Sequence, residues 1–180
     1  LCFCKKSDIL SQFRAYGGKG RICIGLDMDK MPTRLNYECR SVLYDQTKQH
    51  QKLREAVTEA LDIMPIGDAS RDFVTETGQL LVQKLVSILC FLKHPGFAEE
   101  QESRIVHEVQ KTDTIKFDTS NGQVRPFVDL WVGEPQLPIA EVWVGPAAFQ
   151  AASERSIRLL LERYGYDNVE INCSTVPYRD

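Results

Sequence analysis

The sequence predicts an α+β fold: a mixed, mainly antiparallel sheet, a central helix pair and a C-terminal strand-helix-strand unit. Three observations predict it. Apolar and polar residues alternate with period two at the start of the chain and again after Pro95-Gly96. Between these regions a helical period runs through two long segments. Asn121-Gly122 then separates two alternating runs, the strongest short-range signal for a hairpin.

Taken in order, residues 1–4 read as a strand, with Leu1 and Phe3 on one side and Cys2 and Cys4 on the other. Ser7 or Asp8 is placed to cap a short helix ending near Tyr16, and Gly17-Gly18 stops it. Arg21 to Asp27 alternates, with Ile22, Ile24 and Leu26 on one face, and Cys39 to Tyr44 reads as a further short strand. Thr47 to Met64 is a helix with Leu53, Val57, Leu61 and Met64 as its apolar stripe. Pro65-Ile66-Gly67-Asp68 breaks it, and a second helix covers about Arg71 to Leu92. The end of that helix is apolar apart from Gln83, Lys84 and Ser87, so it reads as the buried centre of the domain. It is too short and too polar to span a bilayer. Glu102 to Val109, Ile115 to Asp118 and Val124 to Val132 alternate, and Pro126 marks an edge strand or a bulge. Ile139 to Val144 is a strand, Ala148 to Tyr164 a helix, and Val169 to Cys173 the last strand.

The chain of 180 residues is long enough to bury a full core as one domain. Its net charge of −3, with both signs spread along the chain, argues against a nucleic-acid surface, which needs a basic stripe. The six cysteines contain no Cys-x-x-Cys pair, and they read as free, buried thiols of a cytoplasmic protein. Cys2 and Cys4 share a strand face, but no two further ligands stand at a spacing that would complete a structural zinc site. The chain also opens inside an alternation, which predicts a preceding N-terminal segment.

Two blocks carry the candidate chemistry. In the first, Ile9, Phe13 and Tyr16 form a helical stripe, while Ser11 and Arg14 lie three apart on another face. The bland reading makes Tyr16 a core residue. The functional reading makes Arg14 and the glycine turn an anion-binding corner, with Ser11 and Gln12 as further ligand contacts. A guanidinium offers a planar fork of donors, and glycines let backbone N–H groups approach the same anion. In the second block, Glu102 and Arg104 fall on one face of a strand, roughly 7 Å apart by strand geometry. The bland reading is an exposed ion pair worth about 0–1 kcal/mol. The functional reading is a carboxylate that Arg104 keeps ionised, acting as a base or an electrostatic stabiliser. His94, before Pro95, is a candidate donor at the site entrance. There is no nucleophile elbow, metalloprotease helix, calcium loop or dinucleotide fingerprint, and no base stands near Ser7, Ser11 or Ser120 in sequence.

Both blocks also carry a family resemblance. The chain reads Cys2-Phe3-Cys4-Lys5, then Ile9-Leu10-Ser11-Gln12-Phe13-Arg14-Ala15-Tyr16-Gly17, then Cys23-Ile24-Gly25-Leu26-Asp27. Later come Lys93 to Phe97, Glu102-Ser103-Arg104, Val169-Glu170-Ile171 and Val176-Pro177-Tyr178-Arg179. In this order the chain resembles a bacterial family, domain of unknown function 2971, over essentially its whole length. Cys4 stands where that family has Ser, and Phe13 and Ser103 stand where it has Trp. The resemblance likewise implies a missing N-terminal segment. The family layout is similar to ADP-ribosyltransferase-like domains, which use NAD. That likeness implies that Glu102 orients the nicotinamide ribose and stabilises an oxocarbenium-like centre, that Tyr16 stacks on nicotinamide, and that Arg14 holds the pyrophosphate. The sequence therefore leaves two expectations. One is a cytoplasmic NAD-using transferase or glycohydrolase in stress or phage defence. The other is a non-catalytic module that binds an anionic ligand, such as a nucleotide, or a partner protein.

Overall fold

Among the described residues, fourteen segments carry the regular structure. The computed structural model describes residues 1–17, 21–31, 37–63, 71–119, 122–130 and 136–177. In chain order the elements are β1 (Cys2–Cys4), α1 (Leu10–Ala15), β2 (Ile22–Leu26), β3 (Tyr37–Ser41), α2 (Gln46–Asp62), α3 (Arg71–Leu89), β4 (Glu102–His107), β5 (Ile115–Asp118), β6 (Arg125–Val128), β7 (Ile139–Val144), α4 (Gln150–Arg163) and β8 (Glu170–Cys173). Short 3-10 turns cover Met28–Lys30 and Pro95–Glu100. The class is α+β, with antiparallel pairing dominant. The predicted turn at Gly18–Gly20, the break at Pro65–Asp68, and Met64, Ser120, Asn121 and Trp131 lie outside the described residues. Among the described residues, no helix is long and apolar enough to cross a membrane.

The chain divides into two compact units. The first comprises Leu1–Lys5 and Tyr37–Val106, the second Lys6–Asn36 and His107–Asp180. The first is built on a three-stranded sheet in the order β1-β4-β3. β1 runs antiparallel to β4, with Cys2 opposite Arg104 and Cys4 opposite Glu102. Because cross-strand partners share a face, these four residues share one. Val42, Phe91 and Ile105 are the buried apolar residues around this sheet. β3 runs from Tyr37 to Ser41, earlier than predicted. Beyond it Leu43 leaves the sheet and pairs in parallel with Leu92, donating its N–H to the Phe91 carbonyl at 2.8 Å. Asp45 caps α2 by accepting the Lys48 N–H at 3.0 Å.

The helix pair differs from expectation in what it buries. The stripe predicted for α2 is half open, with Val57 and Leu61 exposed and Leu53 half-buried, while Ala56 and Ala60 are buried. α2 packs on α3, where Thr77 is also buried, and small side chains let two helices approach closely. α3 is not the buried centre of the domain. It ends at Leu89, and Leu80, Val82, Val86 and Leu89 are all more than half exposed. A helix that packs on one neighbouring helix covers one stripe and leaves the other open.

The second unit is centred on the sheet β2-β7-β8. β2 is antiparallel to β7, and β7 is parallel to β8, with α4 as the crossover, which is the predicted strand-helix-strand unit. Val142, Val144 and Leu161 are buried here, with Ile9, Phe13 and Met31. Filling such positions contributes about 1.5–3 kcal/mol for each large side chain. Gly145 must lack a side chain, since a Cβ there would lie 2.6 Å from Phe13 Cδ1 and 2.8 Å from the Arg21 carbonyl oxygen. Gln150, in the first turn of α4, bonds the Val144 and Ser174 carbonyls, each at 3.0 Å, and so ties the helix to the strand ends. α4 starts at Gln150 rather than Ala148, and Phe149 holds its cap position.

β5 and β6 form an antiparallel two-stranded hairpin, with Ile115 opposite Val128 and Phe117 opposite Pro126. Pro126 is thus on an edge strand, as predicted. β4 ends at His107 rather than Val109, because His107 bonds Asp113 at 2.7 Å and the chain turns away. The six cysteines are free, but none is buried: Cys2 and Cys39 are exposed and the others half-buried.

Candidate functional site

The first block lies in the second unit. α1 is too short to hold itself together and is anchored by burial of Ile9 and Phe13. The predicted cap does not form. Ile9 occupies the cap position without a side-chain bond. Ser7 instead donates its hydroxyl to Glu141 Oε1, 134 residues away, so a tertiary carboxylate has displaced the local cap. The core reading of Tyr16 also fails: it is 74% exposed, past the last helical residue, where the stripe no longer faces the core. Ser11 and Arg14 are exposed and Gln12 is half-buried. Among the described residues, the side chains of Ser11, Arg14 and Tyr16 make no hydrogen bond or ion pair.

The second block lies in the first unit. Gln101, in the left-handed region at φ 44°, turns the chain so that Glu102 enters β4. Glu102 is only 4% exposed, so the solvated pair of the bland reading is excluded. Arg104 grips both oxygens, Nε to Oε1 at 3.0 Å and Nη2 to Oε2 at 3.1 Å. Its Nη1 donates to the Cys90 carbonyl at 2.6 Å, which fixes the fork. Lys93 reaches Glu102 Oε2 at 3.1 Å and Glu100 Oε2 at 2.6 Å, and its ammonium lies 5.0 Å from the Phe97 ring centroid. The Cys2 thiol, which faces the same side of β1 as its partner Arg104, lies near enough to bear on the same carboxylate. The Glu102 backbone N–H donates to the Tyr44 hydroxyl at 2.9 Å.

The electrostatics follow from these partners. Burial pushes the Glu102 carboxyl up, but the contacts with Arg104, Cys2 and Lys93 outweigh it and hold the group down to about 2. Burial pulls Lys93 down, and Glu100 and Glu102 more than restore it. Partial loss of solvent, then the nearby Glu102 carboxylate, raises Cys2, which stays a thiol and is a poor nucleophile. Two cations face two carboxylates, so the cluster neutralises itself. A general base needs a free lone pair and a pKa near the working pH. Glu102 has Arg104 and Lys93 on its oxygens and a pKa far below neutral, which suits it to supply a fixed negative charge. His94 is exposed and caps the Pro95–Glu100 turn, its Nδ1 accepting the Gly96 N–H at 3.1 Å.

The predicted residues thus fall into two groups. Ser11, Gln12, Arg14 and Tyr16 share one unit, and His94, Glu102 and Arg104 the other. Sequence reasoning missed Lys93, Cys2 and Tyr44 as partners of Glu102. Cys2 had a signal, since its strand face was legible, but its partner strand was not. It also missed Glu141, which accepts from Ser7 and from Trp143 Nε1 at 2.8 Å, so Trp143 does more than pack. The Asp8 Oδ1 atom beside Ser7 is buried without a partner among the described residues.

Residues 12–105 match the model of a family described as a protein of unknown function (DUF2971). No curated protein and no solved structure matches the chain.

Proposed function

This chain belongs to the DUF2971 family of proteins of unknown function, and from that premise we propose that it is a non-catalytic binding module for an anionic ligand, held on the exposed face of α1. One observation carries the proposal: Arg14, on a helix whose other face is fixed in the core, and Tyr16, just past its end, are both exposed, and their side chains have no partner among the described residues. A free guanidinium supplies charge-assisted hydrogen bonds to a phosphate or carboxylate. A free aromatic ring supplies a stacking face for a base or nicotinamide. Ser11 adds a hydroxyl on the Arg14 side.

The test is calorimetric titration with pyrophosphate, ADP-ribose and NAD, with chromatography of the NAD sample to detect conversion. We expect saturable binding without turnover. A charge-assisted bond is worth about 1.5–3 kcal/mol, so Arg14→Ala should weaken binding by about tenfold or more. NAD conversion that Glu102→Gln abolishes with the fold intact would overturn the proposal.

That outcome would favour the second reading, an NAD-using transferase or glycohydrolase acting in stress or phage defence. Its support is that Glu102 stays ionised at neutral pH, the state needed to stabilise a cationic ribose centre. Against it stands the engagement of both Glu102 oxygens by Arg104 and Lys93.

A further inference from the structure

The β5–β6 hairpin lacks what normally keeps such a unit folded. Neither strand hydrogen-bonds a third strand among the described residues, and an isolated two-stranded hairpin is marginal in water. Its cross-strand partners give it two unlike faces. Ile115, Phe117, Pro126 and Val128 make one face wholly apolar, with Phe117 66% exposed. Lys116, Asp118 and Arg125 charge the other, where Phe127 stands opposite Lys116 and the Lys116 ammonium also reaches Asp129 at 3.1 Å.

The two edges differ as well. Proline has no N–H to give to a ladder, so Phe117 and Pro126 form a pair that does not exchange hydrogen bonds. The N–H and C=O of Phe117 therefore point outward from the hairpin on the β5 side. On the β6 side the outward position is Pro126 itself, which offers no donor. β5 is the edge open to a further strand.

We propose that this edge pairs antiparallel with β5 of a second copy of the chain, about a two-fold axis at Phe117. The register is self-complementary. Phe117 exchanges both backbone bonds with its counterpart. Lys116 falls opposite Asp118 of the second copy, and Asp118 opposite its Lys116, in the non-hydrogen-bonded positions where side chains approach most closely. The result is a four-stranded sheet with a proline-bearing strand at each outer edge. The same Phe117 axis sets the two phenyl rings against each other and joins the two apolar faces into one. This surface is separate from the α1 face, and its test does not depend on any ligand.

Sedimentation velocity across a range of concentrations, with amide exchange at Phe117, tests the proposal. The intact chain should form a dimer, and the Phe117 amide should become protected as the dimer forms. Lys116→Asp sets like charges opposite each other twice, as does Asp118→Lys, and each variant alone should associate roughly tenfold or more weakly. An equimolar mixture of the two variants restores opposite charges at both positions and should recover the dimer. A chain that stays monomeric throughout, or a dimer in which the Phe117 amide exchanges freely, overturns the proposal. A mixture of two folded variants that fails to associate does so too. If Asp118→Lys does not fold, the Phe117 amide in the unsubstituted protein decides the matter alone.

Discussion

Replacing Glu102 with Gln keeps the shape of the side chain and removes the charge that Arg104 and Lys93 face. The magnitude follows from the depressed pKa. Holding the carboxyl from 4.5 down to about 2, at about 1.4 kcal/mol per unit, amounts to about 3 kcal/mol of stability. Breaking a buried ion pair costs about 3–5 kcal/mol in general. The lower figure fits here, because Lys93 would keep Glu100 and Arg104 would keep the Cys90 carbonyl. A depressed carboxylate stabilises fully above its unfolded-state pKa and loses that stabilisation as pH falls through the folded-state value. The gap between Glu102→Gln and the unsubstituted chain should therefore be full near pH 7 and close progressively between 4.5 and about 2. Urea unfolding followed by circular dichroism reads it directly. With a slope of about 1–3 kcal/mol/M, the midpoint near neutral pH should drop by about 1–3 M. Equal midpoints there, or a gap unchanged down to about pH 3, would refute the claim that this carboxylate is held ionised as the centre of the unit.

Three further outcomes are expected. Arg104→Lys retains the charge but loses the fork and the Cys90 bond, and should cost about 1.5–3 kcal/mol in the same urea assay; full stability would mean that charge alone suffices. Gly145→Ala drives a methyl into Phe13 Cδ1 and the Arg21 carbonyl, and should lower stability by about 1–3 kcal/mol in a thermal melt, with part of the loss recovered by adding Phe13→Leu. Independent losses from the two substitutions would place the strain elsewhere. Arg14→Ala should leave stability within about 0.5 kcal/mol while weakening pyrophosphate binding, and a large loss of stability would mark Arg14 as structural.

The strands and helices were largely legible in the sequence because each is a local pattern. β5 and β7 fall at their predicted bounds, and the crossover through α4 follows from the order of segments. What failed depended on partners distant in the chain. Nothing near Ser7 announces Glu141, whose carboxylate takes the hydroxyl expected to cap α1. The apolar run in α3 reads as core because composition cannot show how much of a helix its neighbours cover, and among the described residues α3 packs chiefly on α2. The Glu102–Arg104 pair was legible as a strand-face pair, and its burial was not, since the covering β1 begins a hundred residues earlier. Tyr16 continued a helical stripe on paper, but the helix ends before it.

The way the chain alternates between its two units bears on how it is made. β1 finds its place only against β4, with the Ile105 N–H bonding the Leu1 carbonyl at 2.8 Å. During synthesis at about 5–20 residues per second, the first strand therefore waits roughly 5–20 seconds for its partner. Through that interval the Phe3 ring, half-buried in the finished sheet, is open to other nascent strands. The ribosome, rather than the finished fold, sets when the first unit closes. Slowing translation between the codons for β1 and those for β4 should raise the yield of aggregated chain, whereas slowing it after β4 has emerged should not.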